Sequence, residues 1–398
     1  MLRIQPIDNH RAMNIVFIST MSAVSWGGSE ELWSQTAREL AKLKHQVSAC
    51  ILDWPERQSK ITALKSLGVD LYFRKPQSRL LPARMWRKIR GFTPEEAMAG
   101  KAVQWLLAKK PALVCISMGN SREGLQWLGL CRQFKLSYVV VVHGVYEVAW
   151  PDDKLAQEMA GLFLGAKNVF FVSKRNQELF QDQIATRLPR SEIVRNPFNV
   201  PYAPQLDWPS ADDGWRIANV GRLEPPTKGQ DLLIKVLSKE KWKCRNIKVG
   251  FYGSGDHFGR SVRKLAAELA PRQTEFFGHV SDVKKIWSTN HALVMPSRCE
   301  GMPLAIVEAM LCSRPCIVTD VAGNTELVQH RVNGFVASAP LVESVDKALE
   351  EAWESRHLWK EMGLNAQKII KHLFPESPAK VFAERLEREI DYIPKSVM

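Results

Sequence analysis

Long hydrophobic runs are missing from this chain of 398 residues: no stretch of eighteen apolar residues occurs, so no segment has the make-up of a membrane-spanning helix. Cysteine is scarce, odd in number and scattered, at Cys50, Cys115, Cys131, Cys244, Cys299, Cys312 and Cys316. Several of these lie in apolar, strand-like runs, as reduced buried thiols do, so no disulfide framework is expected and the expected compartment is the cytoplasm. Cys312 and Cys316 straddle a helix end and a strand start without a His or Cys nearby to complete a zinc site. No signal peptide is expected in Met1 to Asn14, because Asp8, Asn9 and His10 stand where its apolar core would be, and the segment reads as a short extension. No nucleic-acid motif or aromatic-basic repeat occurs, so nucleic acid is not an expected partner.

What is present is a regular alternation. Ile15 to Thr20, Val47 to Leu52, Val69 to Phe73, Leu113 to Met118, Tyr138 to His143 and Val169 to Ser173 are short β-branched or apolar runs with amphipathic stretches between several of them. The pattern restarts at Ile217 to Val220 and continues through Lys248 to Tyr252, Leu293 to Met295 and Cys316 to Thr319. Such alternation predicts an α/β protein with parallel sheets covered by helices, here as two Rossmann-like halves. The length and the 45% hydrophobic content suit two buried cores. Asn196 to Pro209 is proline-rich without periodicity and reads as the connection. The expected division is 1–200, 201–374 and a charged, helical tail over 375–398. Two such sheets facing one another put the chemistry in the cleft beyond their carboxyl edges.

The segment Ser297-Arg-Cys-Glu-Gly-Met-Pro-Leu-Ala-Ile-Val-Glu308-Ala-Met places two carboxylates eight residues apart around a helix start. His291 to Met295 reads as a buried strand, Gly301 allows a tight turn, and Pro303 suits the first helical position, where its missing N–H costs nothing. The N–H groups of Leu304, Ala305 and Ile306 would then be free, and with the helix dipole they attract a phosphate. Glu300, in the turn, is within reach of hydroxyls attached to that phosphate, and Glu308 can reach a second polyol such as a ribose. Two glutamates at this spacing, taken alone, are more often a loop charge and an exposed helix residue.

The flanking residues change the reading. Pro296-Ser297, Glu308-Ala309-Met310, Arg314-Pro315, Asp320 and Gly323-Asn324-Thr325-Glu326 surround the pair. Upstream stand Asn219-Val220-Gly221-Arg222-Leu223, Thr227-Lys228-Gly229 and Gly250-Phe251-Tyr252-Gly253-Ser254-Gly255, and downstream Asn333-Gly334-Phe335. Over residues 216–338 this order of motifs resembles glycosyltransferase family 4 with its Glu-x7-Glu signature. The N-terminal half resembles the family more loosely.

The resemblance implies a GT-B fold, two Rossmann-like domains facing across a nucleotide-sugar cleft, and a retaining transferase. It also implies a nucleotide-diphosphate-sugar as substrate, no cofactor, and a tail that packs back on the first domain. Arg222 and Lys228 follow an apolar strand and are candidates to stabilise the charge growing on the departing diphosphate, the first by bidentate hydrogen bonds and the second as a point charge. A solvated surface pair is the alternative for an isolated Arg and Lys. No Asp-x-Asp occurs in the chain, which is consistent with metal independence.

Gly253 and Gly255 do not complete a dinucleotide fingerprint, because Phe258 stands where the third glycine is needed, so their turn is read as letting backbone approach the nucleotide. In the family, the loop carrying Val280 packs its backbone on the nucleobase, and the donor set extends through Gly301, Met302, Pro303 and Leu304. Gly28, in the turn opening the first helix, would let backbone approach the diphosphate from the opposite wall, with a plain strand-to-helix turn as the alternative. His143 matches the family histidine that lies against the donor sugar, with a buried structural histidine as the alternative. Val194-Arg195-Asn196-Pro197 departs from the family's usual Asn-Gly.

Charge adds a second signal. Residues 1–200 hold 28 Lys and Arg against 17 Asp and Glu, so eleven of the thirteen net positive charges lie there. Residues 74–90 hold seven cations and no acid. On a helix begun near Pro82, Met85, Trp86 and Ile89 share one arc while Arg84, Arg87, Lys88 and Arg90 fill the other, the pattern of an interfacial helix at an anionic membrane surface. A helix packed on its own domain with a solvated basic face is the alternative.

The expected activity is transfer of a hexose-type sugar from a nucleotide-diphosphate-sugar to a saccharide or lipid-linked acceptor, in cell-surface polysaccharide or glycolipid synthesis. A peripheral position on the inner membrane face would suit it. A catalytically inactive sugar-nucleotide-binding protein and a GT-B nucleotide-sugar epimerase are the alternatives.

Overall fold

The computed structural model of the chain describes residues 12–22, 26–54, 59–75, 94–255 and 257–391. Its described strands form two all-parallel sheets. The first contains β1 (Asn14–Ser19), β2 (Gln46–Leu52), β3 (Asp70–Arg74), β4 (Leu113–Met118), β5 (Tyr138–Val142), β6 (Val169–Phe171) and β7 (Ser191–Ile193), in the order 3-2-1-4-5-6-7. The second contains β8 (Trp215–Val220), β9 (Ile247–Tyr252), β10 (Thr274–Gly278), β11 (Ala292–Met295), β12 (Cys316–Thr319) and β13 (Gly334–Ala337), in the order 10-9-8-11-12-13.

Both orders reverse beside the first strand of the sheet, between β1 and β4 and between β8 and β11. Each reversal opens a crevice at the carboxyl edge. The central strands are continuous apolar runs because helices cover both their faces: every residue of β4, β5, β11 and β12 is buried.

The expected strands Ile15 to Thr20, Tyr138 to His143 and Val169 to Ser173 end earlier than their apolar runs. Thr20, His143 and Ser173 lie just past the ladders, where the chain turns into the cleft loops. Ser173 accepts the N–H of Asn176 at 3.3 Å and so caps the helix Lys174–Gln183.

One buried apolar cluster runs through both domains, from Phe17, Leu32 and Trp33 of the first to Met295, Met302 and Ile306 of the second, and on to Phe382 and Leu386 of the last helix. That helix, Pro378–Asp391, packs on the first domain. Phe382 meets Phe170 edge-on at 5.0 Å, and Glu387 approaches His45 at 3.0 Å. Among the described residues no helix is long and apolar enough to cross a membrane. Of the basic stretch 74–90, Arg74 and Lys75 are described. Met85, Trp86, Ile89, Arg84, Arg87, Lys88 and Arg90, with the interfacial helix expected there, lie outside the described residues.

Candidate active site

The second domain's half of the cleft is built by loops that follow β8 and β11. Gly229 adopts φ 66°, and a Cβ there would stand 2.0 Å from the Pro296 carbonyl oxygen, so only glycine lets these two loops meet. The contact brings Lys228 to Glu300. Lys228 Nζ donates to both carboxylate oxygens, at 2.7 and 2.9 Å, and Ser297 Oγ donates to Oε1 at 2.7 Å.

Arg298 fastens the same two loops from below. It donates to both oxygens of Asp231 at 2.7 and 2.9 Å and to the Pro225 carbonyl at 2.6 Å, while its own N–H bonds Thr227 O at 2.8 Å. Burial opposes ionisation of Asp231, but the hydrogen bonds and charge of Arg298 outweigh it and hold the carboxyl below its ordinary range. Arg222 makes no hydrogen bond to Glu300 among the described residues. Its side chain is 45% exposed and pairs with Glu224 at 2.8 Å.

Gly253 and Gly255 serve loop packing directly. A Cβ at either would collide with the backbone of the loop after β8, 2.0 Å from Gly221 O and 2.5 Å from Leu223 O. Val280 follows β10 and is half-buried against the shared core.

Pro303 is the residue before the helix Leu304–Leu311, with extended ψ of 120°, rather than its first helical residue. Its fixed φ suits either position, and the extended ψ is what turns the chain into the helix. Its carbonyl accepts the Ile306 N–H at 3.2 Å, so of the three amides expected to be free, those of Leu304 and Ala305 find no acceptor among the described residues and that of Ile306 does. Glu308 is buried, not exposed. Its Oε1 accepts the main-chain N–H of Asn199 at 2.9 Å and its side-chain amide at 3.0 Å. Burial pushes its carboxyl up to about 7, against the lowering effect of those two bonds.

The first domain closes directly on this surface. A Cβ on Gly28, at the start of the first helix, would lie 3.6 Å from Leu304 Cδ1, so two helix starts face each other across the cleft. Gly301 packs against the His143 carbonyl so tightly that a Cβ would stand 1.9 Å from its oxygen. The His143 ring meets Ser117 Oγ at 3.2 Å through Nε2, and its buried Nδ1 has no partner among the described residues. Burial pulls its pKa down to about 3, so the imidazole is neutral at physiological pH. Below Gly301, Arg175 joins the domains by pairing with Asp320 at 2.5 Å and donating its N–H to Glu326 at 3.1 Å. Met302 is buried against Gly323, where a Cβ would meet its Cε at 2.8 Å.

Glu300, Lys228, Gly301, Met302, Pro303 and Leu304 therefore meet His143 and Gly28 at one cleft, while Arg222 is paired with Glu224 and Glu308 with Asn199. Two contributors escape sequence reasoning. Asn199 sits in the patternless connection. Tyr146 follows β5, and its hydroxyl is held protonated to higher pH by burial first and then by Glu300, Cys299 and Glu123, while Arg222 opposes. Those partners place it between the domains. A polar aromatic shortly after a strand end was its only signal. Among the described residues no three His, Cys, Asp or Glu side chains cluster as a metal site.

Residues 207–369 match the family model of glycosyl transferases group 1. Over 150 residues the chain is 29% identical to an uncharacterized glycosyltransferase of Haemophilus influenzae, covering 37% of this chain and 41% of that protein. Over 81 residues it is 36% identical to the UDP-Gal:alpha-D-GlcNAc-diphosphoundecaprenol alpha-1,3-galactosyltransferase of Escherichia coli, covering 20% of this chain and 21% of that one. The chain thus spans less than half the length of these relatives. Its fold is similar to that of Anabaena HepE in complex with UDP, with a TM-score of 0.73 and 19% identity over 94% of this chain and all of the other. The two facing Rossmann-like domains are the GT-B fold.

Proposed function

We propose that the chain, whose residues 207–369 match the family model of glycosyl transferases group 1, transfers a sugar from a nucleotide-diphosphate-sugar to a saccharide or lipid-linked acceptor. The observation that carries this reading is the Lys228–Glu300 contact, 2.7 Å long, set against His143 across the cleft. A diphosphate leaving group gains negative charge as the sugar departs, and a fixed cation stabilises that charge most where water is excluded. Lys228, held 2.7 Å from the buried Glu300, is the cation assigned this role. Its partner Glu300 turns a carboxylate toward the same space, where it can accept hydrogen bonds from the hydroxyls of the donor sugar.

Arg222 reaches the outer phosphate after exchanging Glu224 for it. The free amides of Leu304 and Ala305 cap the diphosphate at a helix start, and Glu308 accepts the ribose hydroxyls. His143, neutral and with an unpartnered Nδ1, offers a hydrogen bond to the sugar from the opposite wall. The reaction retains configuration: the acceptor hydroxyl approaches on the face the diphosphate leaves and passes its proton to a departing phosphate oxygen. No nucleophilic carboxylate is then needed, and the residues named here require no metal.

The product belongs to cell-surface polysaccharide or glycolipid synthesis at the inner face of the membrane, with residues 74–90 as the candidate contact to anionic lipid. Incubation with a panel of UDP-hexoses, reading release of UDP, tests the assignment. Release of UDP from one of them supports it, and a protein that neither binds UDP nor turns over any of them overturns it.

A further inference from the structure

A cavity of about 210 Å3 lies at the hinge, and none of its walls belongs to the residues assigned to the donor. Ile193 and Arg195 line it where the connection between the domains begins, Leu373 and Pro375 where the chain returns, and Val381 and Arg385 from the last helix. Both crossings between the domains therefore border one space. Arg195 stands in Val194-Arg195-Asn196-Pro197, the stretch that departs from the family's usual Asn-Gly.

The lining holds two arginines and no acid. Each arginine is fixed through one nitrogen. Arg195 Nη1 donates to the Val172 carbonyl at 3.2 Å, with its guanidinium 5.1 Å over the Phe374 ring, and Arg385 Nη1 donates to the Ile193 carbonyl at 2.7 Å. Nε and Nη2 of both have no partner among the described residues, and none of these four atoms is sealed from solvent. Two carboxylates stand at longer range, Glu326 at 3.8 Å from Arg195 and Glu192 at 3.4 Å from Arg385. Each keeps another donor on its other oxygen, since Glu326 takes the Arg175 N–H at 3.1 Å and Glu192 the Asn168 side-chain amide at 2.8 Å. An arriving anion orphans neither.

The electrostatics favour such an anion. Burial lowers the pKa of Arg195, Glu326 opposes that, and the charge of Arg385 lowers it further, so the two guanidiniums repel one another. An oxyanion between them relieves the repulsion and accepts bidentate hydrogen bonds. The last helix begins at Pro378 on the same wall, and the positive end of its dipole adds to the attraction. The other walls are apolar, which suits a body attached to the charge. The cavity is smaller than sites for drug-sized ligands, so that body is small.

We propose that this cavity is a binding site for a small organic anion, its phosphate or carboxylate held by Arg195 and Arg385 and its apolar body against Ile193, Leu373 and Val381. The site stands independently of the glycosyltransferase reading. Its occupant fastens the two crossings of the hinge to one another.

Titration calorimetry on the full chain tests it with phenyl phosphate and benzoate as organic anions, inorganic phosphate as the bare ion and benzyl alcohol as the neutral body. The wild type should bind at least one organic anion about tenfold more tightly than inorganic phosphate, the scale of burying one small apolar group, and more tightly than benzyl alcohol. Arg195→Gln and Arg385→Gln should each weaken that binding about tenfold, the scale of one lost charge-assisted hydrogen bond. Glu192→Gln removes a competing carboxylate and should strengthen it about threefold. This variant decides the matter if the arginine variants do not fold. Lys228→Ala reports binding in the sugar cleft instead and should leave the affinity unchanged. Four results overturn the proposal: no organic anion bound by the wild type, inorganic phosphate or benzyl alcohol bound as tightly, unchanged affinity in a folded arginine variant or in Glu192→Gln, or affinity lost in Lys228→Ala.

Discussion

Glu308 is held by Asn199 through two hydrogen bonds to a single carboxylate oxygen, at 2.9 and 3.0 Å, so the nucleotide end of the cleft is tied to the chain that connects the domains. Burial places the Glu308 carboxyl at about 7. A ribose hydroxyl donates best to the ionised form. UDP affinity should therefore rise as pH increases through 7, by about tenfold between pH 6 and 8, because the ionised fraction grows by that factor. Titration calorimetry of wild type and Glu308→Gln at both pH values isolates the effect, since the titration of UDP itself cancels in the comparison. Parallel pH dependences in the two proteins would remove Glu308 from the ribose.

The same shift has a consequence for stability. A carboxyl raised above its unfolded value binds more protons in the folded state, so folding loses stability as pH rises from about 4.5 to about 7. Glu30, pushed up to about 7 by burial despite the Ser19 hydrogen bond, acts in the same direction. The thermal midpoint should fall across that window and fall less in Glu30→Gln. A midpoint that climbs over the same interval in both proteins contradicts the assignment.

The two candidate cations should separate on folding while agreeing on rate. Lys228→Ala and Arg222→Ala should each lower turnover about a hundredfold, the scale of losing one preorganised charge contact. Lys228→Ala also strips the buried Glu300 of its cation and should cost about 1 to 3 kcal/mol of stability. Arg222, on an exposed side chain, should cost almost none. Denaturant melts beside initial rates check both halves, and equal stability losses would contradict the burial argument.

Gly301→Ala tests the closed cleft. A methyl group 1.9 Å from the His143 carbonyl and 3.3 Å from Val172 Cγ2 cannot be housed, and both obstacles belong to the other domain. The variant should separate the domains at this edge and lose turnover, with each domain still folded. Hydrogen exchange should show the Gly301 turn and the residues around His143 losing protection together. Wild-type turnover in this variant would show that the contact is not part of the working state.

Much of the architecture was legible because the central strands are buried on both faces and read as unbroken apolar runs. The strand ends were less so: the run Tyr138 to His143 continues past the ladder because His143 is itself buried. Lys228 and Glu300 each stand in a motif of their own, but 72 positions separate them, and the Gly229 approach to Pro296 together with the Arg298 contacts brings them together. Asn199 carried no signal, since its role depends on where a patternless connection passes. Arg74 reads as the first cation of a basic run, yet its guanidinium is folded onto Trp127 and the Ser19 carbonyl.

The most direct test of the central claim is UDP release from UDP-hexoses by the purified full chain, measured for wild type and for Glu300→Gln. The substitution keeps the shape of the side chain but removes the charge that Lys228 now neutralises, leaving Lys228 to a diphosphate. Measurable release by the wild type, a fall of about a hundredfold in the variant, and UDP affinity equal to or higher than that of the wild type would support a transferase with Glu300 on the sugar. Binding of UDP without turnover of any UDP-hexose by the wild type, or undiminished release in Glu300→Gln, would contradict it.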